Sequence, residues 1–156
     1  MKNIHRILVV SRLNSYSPDA VRFGVSVART CDAKLTVLHL TSNPIDVVAM
    51  NKDAQFSDED FRSYLNLQQE IKTQLDEIIK NEQQGGFPMK ELISDGEPVA
   101  AIEKVVTEEK INLIVMLAHQ EGHLEHALFG GENDALIRKM PCSILLVKKE
   151  PEAVQW

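Results

Sequence analysis

Four short runs of valine, isoleucine and leucine decide what this chain can fold into: RILVVS (6–11), KLTVLHL (34–40), NLIVML (112–117) and SILLVK (143–148). Each is nearly continuous in hydrophobicity. A strand with one wet face alternates apolar and polar residues. A strand without that alternation is covered on both faces, as in a parallel sheet between two helical layers. MKELIS (89–94) is a weaker fifth strand. Parallel neighbours cannot be joined by a hairpin and need a crossover, usually a helix.

Helical patterns lie between the runs. Ser17 and Pro18 suit the N-cap and first helical position of a segment reaching Cys31, with Val21, Phe23, Val25, Val27 and Ala28 apolar. Ser57 suits the N-cap of a long second helix whose first turn holds Glu59 and Asp60. Phe61, Leu65, Ile71, Leu75, Ile78 and Ile79 give it one apolar face, and Gly85 offers a left-handed C-cap. A third helix spans about Glu97-Pro98 to Glu109, with Ala101, Ile102, Val105 and Val106 inward. A fourth runs from near Gly131 to Lys139-Met140, stopped by Pro141. The order βαβαβαβαβ, without internal repeat, predicts one three-layer α/β domain over 1–150 with helices on both faces of a five-stranded parallel sheet. The connection 42–56 is a loop or an early start of the second helix. The tail 151–156 is too short for another element.

Composition narrows the function. The 156 residues carry a formal charge of −6, and their basic residues are scattered, which disfavours nucleic acid as a partner. Cys31 and Cys142 form no CxxC pair and fit a reduced, cytoplasmic protein. The apolar run Ile7 to Val10 is too short for a signal peptide, and no segment is long enough to span a bilayer, so no membrane partner is expected.

Ligands of open α/β sheets sit beyond the carboxyl ends of the strands, where strand order reverses. If the first and fourth strands are neighbours, that crevice lies between Ser11-Arg12 and Leu117-His119. The stretch LAHQEGHLEHALFGGENDALIRKM (117–140) follows the fourth strand. Gly130 and Gly131 either offer backbone N–H groups to an anion at the helix start or simply make a tight turn into the helix. His119, His123 and His126 have spacing that could hold a transition metal, but Gln120 stands where H-E-x-x-H sites carry glutamate, and Gly122 interrupts the segment. A polar surface loop without metal is the expectation. Ser11 and His119 can approach each other, yet no carboxylate is placed to orient the histidine, so no enzyme is expected. Cys142 reads as a structural thiol.

The pieces RILVVS, AVRFGVSVARTCDAKLTVLHL, DGEPVAAIEKVVTEEKINLIVM and FGGENDALIRKMPCSILLVKK together resemble the universal stress protein family over nearly the whole chain. The resemblance implies a Rossmann-like sheet of the adenine nucleotide alpha hydrolase type, in strand order 3-2-1-4-5. It also implies a homodimer formed through the last strand, Ser143 to Lys148. Nucleotide-binding members carry an Asp after the first strand and G-x2-G-x9-G-[ST] after the fourth. Here Arg12 takes the Asp position, Leu117 and Gln120 replace the first two glycines, Gly130 is kept, and Gly131 replaces the Ser or Thr. His119 matches the histidine of the family's HG step, and the resemblance places Leu40, after the second strand's histidine, and Glu132, after Gly131, with these residues among the degenerate ligand-binding positions. Glu121 and Glu125 lie where members often have basic residues. Facing a phosphate at about 4 Å, each would cost about 1 kcal/mol in water and about 4 when partly buried. Arg12 either fills the nucleoside pocket, paired with Glu121 or Glu125, or serves a remodelled anion site; the first is favoured. The expected function is that of a non-catalytic, cytoplasmic, stress-response regulator that binds ATP weakly or not at all and acts through a protein partner or a small ligand. The alternatives are a nucleotide or other anion bound with altered specificity, and a metal held by the histidine loop.

Overall fold

A computed structural model describes residues 4–41, 57–118, 132–139 and 141–148. Along the chain these form β1 (Arg6–Ser11), α1 (Ser17–Cys31), β2 (Lys34–Leu40), α2 (Asp58–Gln84) and β3 (Met89–Ser94). They continue through α3 (Pro98–Glu108), β4 (Leu113–Ala118) and α4 (Glu132–Lys139) to β5 (Ser143–Lys148). The strands make one sheet in the order β3-β2-β1-β4-β5, and every pairing is parallel. Three of the four non-alternating runs thus form the interior strands β2, β1 and β4; the fourth, SILLVK, forms the edge strand β5, and the weak fifth run forms the opposite edge, β3.

Two cores cover the two faces. Ile7 and Val9 of β1 and Leu35 and Val37 of β2 pack with Val21 and Ala28 of α1 and with Ile71 and Leu75 of α2. The alternate residues Leu8, Val10, Leu38 and Ile114 pack on the other face with Ile102, Val105 and Val106 of α3 and Leu136 of α4. The period of two in each strand produces this division. Helix α1 lies so near the sheet that a Cβ on Gly24 would come within 2.2 Å of Val9 Cγ2.

Helix ends obey local chemistry, with two departures from expectation. Ser57 caps α2 in a reciprocal box: its hydroxyl accepts from Asp60 N at 3.1 Å, and the Asp60 carboxylate accepts from Ser57 N at 2.9 Å. Glu97 caps α3 by accepting from Val99 N and Ala100 N. Ser17, in contrast, is not an N-cap but the first residue of α1; Tyr16 occupies the cap position and makes no side-chain cap bond. The Ser17 hydroxyl is used in the preceding turn instead. Gly85 does not take the left-handed conformation at the end of α2 (φ −75°); Gly86 does (φ +87°). Phe23, counted among the apolar positions of α1, is 38% exposed. The connection 42–56 and the tail 151–156 lie outside the described residues.

Candidate functional site

The hydrogen-bonded register between β1 and β4 stops at Val9–Val115, although β1 continues to Ser11 and β4 to Ala118. Since β2 lies on the far side of β1 and β5 on the far side of β4, strand order reverses here. The switch point expected from the sequence therefore lies at the carboxyl ends of these two strands.

Its β1 side is fixed by a compact turn. Ser11 Oγ accepts from Leu13 N at 3.3 Å. Asn14 Oδ1 accepts from Tyr16 N and from the Ser17 hydroxyl, each at 3.1 Å, while Ser17 N donates to Asn14 O at 3.0 Å. Leu13 sits at φ 55°, a left-handed conformation that costs a side-chain-bearing residue about 1–2 kcal/mol. Such strain persists where the surroundings over-determine the backbone, and here the bonds of Ser11, Asn14 and Ser17 do so.

That turn holds Arg12 inward. Arg12 is 5% exposed and is not without a partner. A guanidinium this far from water is costly unless it is paired, so its burial reflects a built arrangement. Leu40, at the end of β2, is 1% exposed and belongs to the core shared with α3 and α4. Leu117 is the penultimate residue of β4, and Glu132 is the first of α4. Gln120, Gly130, Gly131, His119, His123 and His126 lie outside the described residues, as do Glu121 and Glu125. Among the described residues no group of three or more His, Cys, Asp and Glu side chains is placed to hold a metal.

A polar cluster beside the crevice escaped the sequence reading. His39 of β2 stands in register with Ser11 of β1 and is fully buried; neither ring nitrogen has a hydrogen-bond partner among the described residues. Its Nε2 is 3.7 Å from Glu91 Oε1 of β3, close enough for ion pairing but too far for a hydrogen bond. Glu91 accepts from Lys72 Nζ of α2 at 2.8 Å, and Lys72 also pairs with Asp76 one turn on. Burial pushes the His39 pKa below its ordinary 6.5, with the Glu91 charge opposing. Burial likewise opposes the Lys72 charge, but its bonds to Asp76 and Glu91 prevail and raise its pKa. The readable signal was one histidine inside the run KLTVLHL. Its partners come from other elements and needed the register to be seen.

Comparisons with known proteins agree with this geometry. A sequence model of the universal stress protein family matches residues 3–148. Universal stress protein MJ0577 of Methanocaldococcus jannaschii is 26% identical over 106 residues, covering 68% of this chain and 64% of that protein. The matched stretch is thus a little under two thirds of that relative's length. The universal stress protein UspA of Lactobacillus plantarum superposes with a TM-score of 0.60 at 19% identity, over 92% of this chain and 97% of its own. A universal stress protein family protein of Arabidopsis thaliana, solved with AMP bound, gives 0.54 at 17% identity, over 96% and 97%. At these identities the structural likeness is one of fold.

Proposed function

The chain belongs to the universal stress protein family, and on that premise we propose that it is a regulatory, non-catalytic member whose nucleotide crevice is closed by Arg12. The observation that carries this reading is the burial of Arg12 at the carboxyl end of β1, beside the strand reversal. A neutral or acidic residue there would leave room for a nucleoside. A buried Arg12 side chain would take that space, and displacing it would break the interactions that hold it. Ser11 is no nucleophile in this arrangement: it is fully buried, and its hydroxyl accepts from Leu13 N. Calorimetric titration with magnesium ATP tests the proposal. Affinity weaker than about 1 mM, or less than roughly 4 kcal/mol of binding, is expected. Low-micromolar binding overturns it.

A second reading uses the same residue. The fixed charge of Arg12 would meet an anion, and the Arabidopsis thaliana structure shows that this fold can hold AMP. Unchanged anion binding in Arg12→Ala would remove it.

The proposal extends to assembly and compartment. A homodimer through β5 is supported by that strand's position at the sheet edge and by Leu146, which is 43% exposed. The free thiols Cys31 and Cys142 fit a reducing, cytoplasmic setting. No helix among the described residues is long and apolar enough to cross a membrane.

A further inference from the structure

The opposite end of the sheet holds a cavity of ≈ 310 Å³. Arg6 of β1, Lys34 of β2 and Lys90 of β3 line it together with Thr36, Pro88, Met89 and Glu109. Arg6 is in register with Lys34, and Thr36 with Lys90. The parity of each strand puts these four residues on the face that carries α3: Leu8, Leu38 and Leu92, an even number of positions further along, pack there. Three cations on three adjacent strands thus converge under the carboxyl end of α3.

Their local pairing leaves a surplus. Arg6 Nη1 donates to the Glu109 carbonyl at 3.4 Å, and so caps α3. Lys90 Nζ lies 2.5 Å from Glu109 Oε1. Helix capping therefore accounts for Arg6 and ion pairing for Lys90, but neither accounts for Lys34, whose ammonium has no hydrogen bond or ion pair among the described residues. With Glu109 as the one carboxylate among the described lining residues, those residues carry two positive charges in excess, within a chain of net charge −6.

We propose that this amino-end cavity is a second ligand site, separate from the crevice, for a small organic anion carrying one phosphate or carboxylate. The cations take the anionic group. Pro88 and the stems of the lysines offer apolar surface to the rest of the molecule. The volume lies at the lower end of small-molecule sites and exceeds what a bare oxyanion fills.

Phenyl phosphate, benzoate and inorganic phosphate are the probes, titrated into the ¹⁵N-labelled full chain and followed by NMR. Saturable shifts are expected at the Lys34, Thr36 and Lys90 amides, with phenyl phosphate tighter than inorganic phosphate. The benzoate arm separates carboxylates from phosphate esters: saturation by either organic anion supports the site, and saturation by neither overturns it. Lys34→Gln, an exposed change, should weaken binding about fivefold, as expected for one charge pair of about 1 kcal/mol. Glu109→Gln should tighten it, because it removes the one opposing charge and frees Lys90. Shifts that never saturate, or indifference of binding to both substitutions, overturn the site. Inorganic phosphate binding as tightly as phenyl phosphate overturns the organic part of the assignment. None of these outcomes depends on whether ATP enters the crevice at the other end of the sheet.

Discussion

His39 shows how one residue can set a pH dependence. Glu91 of β3 and Lys72 and Asp76 of α2 are the charged groups associated with it, and the neutral Ser11 lies beside it in register. Its pKa in the folded chain lies below the ordinary 6.5, first through burial and despite Glu91. Above that ordinary value the ring is neutral in folded and unfolded chains alike and contributes nothing to the pH dependence. Below it the unfolded chain binds a proton that the folded chain refuses, so stability falls with pH until the folded pKa is reached. The slope is at most about 1.4 kcal/mol per pH unit. The lowered pKa values of Asp60 and Asp76 act in another window, because such groups lose their contribution only below the ordinary 3.8. Urea unfolding at pH 7.5 and pH 5.5 therefore isolates the histidine from these carboxylates. The wild type should lose about 1 kcal/mol between the two, and His39→Leu should flatten the difference. At pH 7.5 the leucine variant should be no less stable, since two buried nitrogens with no hydrogen-bond partner among the described residues disappear. An unchanged slope in the variant would show that another group titrates. At this scale the sequence was half legible. Arg12 could be placed at the carboxyl end of β1 because a strand end is easily counted. The partners of His39 could not, because Glu91 and Lys72 approach it only through β2–β3 pairing and the packing of α2.

Among the elements, α1 packs close against the sheet at Gly24. Gly24 lets its backbone approach Val9, and an added methyl would lie 2.2 Å from Val9 Cγ2. Valine is stiff at χ1 and cannot easily turn that methyl away. Gly24→Ala should therefore cost about 1–3 kcal/mol despite alanine's better helix propensity. Val9→Ala in the same chain should recover part of that loss, giving a coupling energy readable in a double-mutant cycle of urea midpoints. Additive losses would mean that α1 shifts as a body. Element identity was legible where covering on both faces erased alternation, as in β1, β2 and β4. The ends were less so. Ser17 looks like a cap in sequence, but Asn14 engages its hydroxyl in the turn below, and that competition depends on the turn's shape. Gly85 and Gly86 are adjacent, and only the backbone path decides which takes the positive φ.

For the whole molecule, the sheet has two edges with different chemistry. Strand β3 presents Lys90 and Glu91, charges that discourage pairing with another sheet, although Ile93 is 59% exposed. Strand β5 reads SILLVK and has no charge before Lys148. Ile144 reaches the core on the α3 side, and Leu145 and Val147 reach the core on the α1 side. Leu146 is left 43% exposed, with Ile137 of α4 also exposed at 36%. An isologous contact between two copies would let each β5 cover the other's open edge, and would bury Leu146 if its face joins that contact. Leu146→Lys should then lower the mass measured by light scattering from dimer to monomer at micromolar concentration, without loss of the far-ultraviolet dichroism of the fold. Leu145→Lys is the contrasting change. Its side chain packs on the core, so a charge there should unfold the domain by several kcal/mol rather than merely separate the copies. A folded Leu146→Lys variant that keeps the mass of a dimer would move the interface away from β5. A wild type that is already monomeric at that concentration would remove the dimer itself.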